Sequence, residues 1–96
     1  MRKFSVEEKL RKIMSKLSKK DPSMFKDLLE KIDEISKCEN VNHYKNLRKP
    51  LQHLKRVHIK GSFILTFRYI ESEDKVLFYD FDHHDKIYTK PKQTID

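Results

Sequence analysis

Cysteine, glycine and tryptophan are nearly missing from this 96-residue chain, which has one Cys, one Gly and no Trp. A single thiol cannot close an internal disulfide, so hydrophobic burial and hydrogen bonds must hold the fold. That excludes an extracellular cystine scaffold and suits a reducing cytosol. The lone glycine, Gly61, rules out a Gly-rich phosphate loop, and 96 residues leave no room for a second domain around a large cofactor. No apolar run approaches the ~18–20 residues of a membrane span. The basic start Met1-Arg2-Lys3 leads into Phe4-Ser5-Val6-Glu7-Glu8, not into an apolar signal core. The chain therefore reads as one cytoplasmic domain over residues 1–96, with neither membrane insertion nor Sec-type secretion expected.

Positive charge is what the sequence has in excess, with 22 Lys+Arg against 15 Asp+Glu and a net charge of +7. Leu, Ile, Val and Phe still exceed the roughly one-fifth of residues below which charged chains stay disordered, so a folded core is expected. The basicity is concentrated in residues 1–20 and 41–60. In the first segment a solvated Lys-rich helix face accounts for it. The second contains no Asp or Glu at all; Lys45, Arg48, Lys49, Lys55, Arg56 and Lys60 share it with His43, His53 and His58. Cations mixed with imidazoles on a strand pattern form an anion-binding composition.

Periodicity divides the chain into helices followed by strands. Ser5-Val6-Glu7-Glu8 reads as a capping box, after which Val6, Leu10, Ile13, Met14 and Leu17 recur at helical spacing. Asp21-Pro22 reads as an N-cap with proline at the first helical position, followed by a second stripe of Phe25, Leu28, Leu29, Ile32 and Ile35. The short connection between them predicts an antiparallel helical hairpin whose apolar face needs a sheet to cover. Residues 39–53 lack a period and contain Pro50, so a loop is expected there. From Leu54 the period becomes two: Val57 and Ile59 point one way, and Arg56, His58 and Lys60 the other. Lys60-Gly61 is a hairpin turn, and residues 62–70 are a strand with Phe63, Leu65, Phe67 and Tyr69 on one face. Residues 76–82, apolar on both faces, form a central third strand. With a short leading strand possible at Lys3–Val6, the fold class is a two-layer α+β domain, an N-terminal helical hairpin packed on a small antiparallel sheet.

An up-down-up meander brings the ends of its first and third strands to one edge, two strand spacings or roughly 10 Å apart. His58 and Lys60 thereby approach His83, His84 and Asp85, with Arg56 on the same face as His58. Two imidazoles about one phosphodiester apart, among fixed cations, suit metal-free RNA cleavage. One group takes the 2′-hydroxyl proton, another protonates the departing 5′-oxygen, and the cations stabilise the five-coordinate phosphate. Only RNA supplies that nucleophile, and Tyr88 could stack on a base. Spacing alone leaves other readings open, because five histidines scatter readily over a small basic surface. Zinc is disfavoured because no C-x-x-C or H-x-x-x-H spacing occurs and His83 and His84, as neighbours in a strand, would point apart. Cys38 ends an apolar helix stripe and reads as a small hydrophobe, not a nucleophile. His43 and His53 read as solvated loop residues.

Three stretches together carry a family resemblance. They are His43-Tyr-Lys-Asn-Leu-Arg-Lys-Pro-Leu51, Leu54-Lys-Arg-Val-His-Ile-Lys-Gly-Ser-Phe-Ile-Leu-Thr-Phe67 and His83-His-Asp-Lys-Ile-Tyr88. From about Leu17 to Tyr88 the chain resembles the RelE/YoeB/YafQ toxins of type II toxin–antitoxin modules, and Leu17-Ser-Lys-Lys-Asp-Pro22 is similar to their helix-hairpin turn. The resemblance implies a toxin that cuts mRNA in the ribosomal A site without a cofactor and is silenced by a cognate acidic antitoxin. It places His58 and His84 as acid and base, Arg56 beside the phosphate and Tyr88 as the C-terminal aromatic. Lys49, Lys55, Lys60 and His83 follow as substrate-binding residues, with no metal. Two positions depart from the family pattern: Ile64 stands where RelE and YoeB carry an arginine, and Ser62 where YafQ carries an aspartate. The phosphate-stabilising charge is then expected from Arg56, Lys49, Lys55 or Lys60. Two other functions fit the same scaffold, a ParE-like toxin that inhibits DNA gyrase and a non-toxic RNA-binding protein.

Overall fold

In the computed structural model, which describes residues 2–49 and 51–87, both apolar stripes become helices, α1 (Glu8–Lys20) and α2 (Pro22–Lys37). Asp21 alone joins them. Its N–H donates to the Leu17 carbonyl at 2.8 Å, closing α1, and its Oδ1 accepts the Met24 N–H at 3.1 Å, opening α2 ahead of Pro22. Asp21→Ala is expected to cost about 1 kcal/mol of stability, measured as a lowered urea midpoint at unchanged slope. The capping box expected at Ser5–Glu8 does not form. Ser5 lies in strand β1 (Lys3–Val6), and the N-cap of α1 is Glu7, which makes no side-chain cap bond. The reason is the sheet: the Glu7 N–H donates to the Phe78 carbonyl at 2.9 Å, so the backbone is still paired as a strand where the box would close.

The meander follows as β2 (Lys55–Ile59), β3 (Phe63–Ile70) and β4 (Lys75–His83), and a one-turn helix α3 (His84–Ile87) ends the described chain. The sheet order is β1-β4-β3-β2, so the doubly apolar β4 is internal, as its composition requires. The meander pairs are antiparallel, whereas β1 runs parallel to β4, which makes the sheet mixed. Lys60 and Gly61 turn the β2–β3 hairpin with φ of 52° and 77°; glycine takes the left-handed region without cost and Lys60 accepts it.

One face of the sheet meets the helices. Leu10, Met24, Leu28, Ile32 and Ile35 pack on Ile59, Leu65, Phe67, Val76, Phe78 and Phe81. The opposite face has its own core of Leu47, Leu51, Leu54, Ile64 and Ile87, with Tyr79 against it. The aperiodic segment 39–53 is therefore shared between the two faces: Val41 and Tyr44 pack into the helical core, and Leu47 and Leu51 cover the second face. A β-bulge fixes which β4 residues face which side. Thr66 pairs with Asp80 and Phe67 with Phe78, leaving Tyr79 as the extra residue. Phe78 and Phe81 consequently both reach the helical core, and His83, two residues on, stacks edge-on against Phe63.

Candidate active site

Strand parity places the first two site residues. On β2, Val57 and Ile59 belong to the helical core, which turns Arg56 and His58 to the opposite face. Across the sheet His58 pairs with Ile64, and Ile64 with Asp82, so one row leads from β2 to the end of β4. There the His84 N–H donates to the Ser62 carbonyl at 2.9 Å, pinning the start of α3 to the β2–β3 turn. The result is an open cavity of about 330 Å³ lined by Arg48, Arg56, His58, Gly61, Ile64 and His84. Ile64, 3% exposed, is its apolar floor.

Arg48 is the residue that sequence reasoning passes over in favour of Lys49. Leu47 and Leu51 are buried in the second core and the Leu51 N–H donates to the Arg48 carbonyl at 2.9 Å, a turn that leaves Arg48 exposed at the cavity wall. The available signal is the acid-free composition of 41–60, in which Leu47 and Leu51 bracket Arg48 at helical spacing. Within the cavity the Arg56 Nη1 lies 3.4 Å from the His58 Nδ1, and the His84 Nδ1 lies 3.0 Å from the Asp85 Oδ1. Each histidine is thus engaged at Nδ1 by a neighbouring side chain, which leaves Nε2 as the atom for proton transfer with a substrate. Two guanidiniums and two imidazoles around one concavity can bind a phosphodiester and move protons to and from it.

Other expected members are turned elsewhere. Lys55 shares the parity of Val57 and Ile59, and its ammonium donates to the Tyr44 carbonyl at 3.2 Å and the Asn46 Oδ1 at 3.1 Å. Burial lowers its pKa, partly opposed by the Glu71 carboxylate. Lys60 is expected beside His58, but its positive φ breaks strand alternation, and its ammonium pairs with Asp27 of α2 at 3.0 Å and Ser23 at 3.3 Å. His83 lies beside the cavity against Phe63 and is not one of the lining residues. The expectation that His83 and His84 point apart fails, because β4 ends between them and their rings stack at 4.6 Å. Lys49 is exposed and does not line the cavity. Tyr88 lies outside the described residues. Sequence reasoning also misses Asp80, fully buried on β4, whose Oδ1 accepts the Phe81 N–H at 2.8 Å and whose Oδ2 pairs with Lys9 at 3.3 Å.

No family model matches the chain. Among curated proteins it is 49% identical over 92 residues, 96% of each chain, to a protein of Methanocaldococcus jannaschii named "Putative toxin RelE4". Solved structures share the fold at lower identity. A metal-bound toxin from Helicobacter pylori is 18% identical with a TM-score of 0.71, over 91% of this chain and 99% of that one. The toxin–antitoxin complex RelBE2 from Mycobacterium tuberculosis matches at 20% identity and a TM-score of 0.69, over 86% of this chain and 98% of that one.

Proposed function

Because the chain belongs to the RelE family of toxins of toxin–antitoxin modules, we propose that it is an endoribonuclease that cuts mRNA in the ribosomal A site by metal-free attack of the 2′-hydroxyl. The observation that carries this reading is the convergence of Arg48, Arg56, His58 and His84 on one open cavity. His58 and His84 share the acid and base duties through Nε2. The base takes the 2′-hydroxyl proton, the 2′-oxygen bonds to phosphorus, the bond to the 5′-oxygen breaks, and the acid returns a proton to that oxygen. The products are a 2′,3′-cyclic phosphate and a 5′-hydroxyl. Arg48 and Arg56 carry the charge that builds on the phosphate, a contribution worth about 10²–10³ in rate at comparable sites. Arg48 supplies the guanidinium that the family pattern places on β3, where this chain has Ile64. The cavity is shallow and exposed, which fits an enzyme that borrows substrate positioning from the ribosome.

An acidic antitoxin is the expected partner of a chain with net charge +7, in keeping with the toxin–antitoxin complex whose fold it shares. The test is a defined mRNA incubated with the protein, with and without programmed ribosomes, and the cut ends mapped. Cuts within the A-site codon that require the ribosome support the proposal. A message left uncut in both conditions overturns it, and inhibition of gyrase supercoiling by the same preparation would then identify the ParE-like alternative.

A further inference from the structure

His83, His84 and Asp85 are consecutive in sequence, an arrangement that in a continuous strand would scatter their donor atoms. Here the strand ends between the two histidines, and the chain turns at once into α3. The rings stack with 28° between planes, and the Asp85 carboxylate faces both of them. Its Oδ2 lies 3.6 Å from the His83 Nδ1 and its Oδ1 lies 3.0 Å from the His84 Nδ1. One ligand atom from each residue lies within 4.8 Å of the other two. Donors bound at ~2.0–2.1 Å around a tetrahedral cation are separated by about 3.4 Å, so little movement is needed to seat one. The His83 Nδ1 also accepts the backbone N–H of Asp85 at 3.2 Å, so it carries a lone pair and its hydrogen sits on Nε2.

We propose that His83, His84 and Asp85 bind a divalent transition cation of the Zn²⁺ type, and that the bound cation switches off the adjacent cavity. Two imidazoles and one carboxylate form a borderline donor set that favours such a cation over Mg²⁺ or Ca²⁺, and water fills the fourth position. The cation takes the place of the His84 Nδ1 contact with the Asp85 Oδ1 at 3.0 Å and of the Asp85 N–H bond to the His83 Nδ1 at 3.2 Å. The regulatory half rests on the nuclease reading. With Nδ1 metallated, the His84 Nε2 keeps its hydrogen and the ring can no longer cycle a proton. The binding half stands without it.

The test adds Zn²⁺ to the intact protein and follows the histidine ring resonances by NMR, with calorimetry for stoichiometry and the same concentrations applied in the ribosome cleavage assay. The expected result is saturable one-to-one binding that perturbs the His83 and His84 rings and weakens at least about tenfold in His83→Ala and in Asp85→Asn. Cleavage by the wild type should fall in step with occupancy and return with chelator. The ratio of rates with and without Zn²⁺, taken within each variant, should approach one in Asp85→Asn. A competing pair, Cys38 Sγ at 3.7 Å from the His43 Nδ1, is controlled by Cys38→Ser, which should leave binding unchanged. No binding at millimolar Zn²⁺, or binding lost in Cys38→Ser and kept in His83→Ala, overturns the site. Binding at His83 and His84 with cleavage unaffected overturns the switch alone, and a wild type that binds Zn²⁺ but never cleaves faults the nuclease reading and leaves the site standing.

Discussion

His58→Ala and His84→Ala are each expected to slow ribosome-dependent cleavage by about 10²-fold or more, the range that positioned proton-transfer groups contribute. The double variant should show less than the product of the two single effects if both act in one concerted step. Stability should hardly move. Both rings are exposed. His58 gives up its 3.4 Å approach to Arg56, and His84 its 3.0 Å approach to the exposed Asp85 carboxylate and its stacking on the His83 ring, all of them surface interactions. The measurement is a single-turnover rate on programmed ribosomes paired with a urea titration of each variant. A His84→Ala protein that cleaves at the wild-type rate would remove His84 from the mechanism. A variant that loses activity together with its folding transition would show a structural role instead.

The largest expected loss of stability comes from Phe78→Ala. Phe78 is fully buried on β4 between the helices and the sheet, with its ring 5.7 Å from Phe4 and 5.9 Å from Phe67. It also sits at the bulge, where it pairs with Val6 on one side and Phe67 on the other. Truncation removes the ring and leaves a cavity that the paired strands cannot close, which costs about 3–5 kcal/mol. Against a total stability of about 5–15 kcal/mol, the variant should unfold at far lower urea or fail to accumulate. A shift under about 1 kcal/mol would mean that β1 and β4 collapse onto the space, contrary to the packing described.

Much of this architecture is legible in the sequence because local patterns and tertiary demands agree. Leu28, Ile32 and Ile35 stripe one helix face, and the run Val76–Tyr79 followed by Phe81 suits an internal strand. The capping box is a false signal, because pairing of the Glu7 N–H with the Phe78 carbonyl outweighs a local cap. The second core escapes notice because Leu47, Leu51 and Leu54 follow no strand period and Pro50 interrupts a helical one. At the site, period two places Arg56 and His58 on one face. Parity also assigns Lys55 to the other face, which composition alone obscures. The position of Lys60 is hidden because a positive φ in a lysine leaves no trace in the sequence. The stacking of His83 on His84 depends on where β4 stops, a boundary set by the bond from the His84 N–H to Ser62.

The most direct test of the central claim uses one mRNA in two forms on programmed ribosomes: all ribonucleotides, and a single 2′-deoxy substitution at the mapped cut. The wild-type protein should cut the first, leaving a 2′,3′-cyclic phosphate and a 5′-hydroxyl, and spare the second at that position. Equal cutting of both forms, or ends bearing a 5′-phosphate, would contradict it.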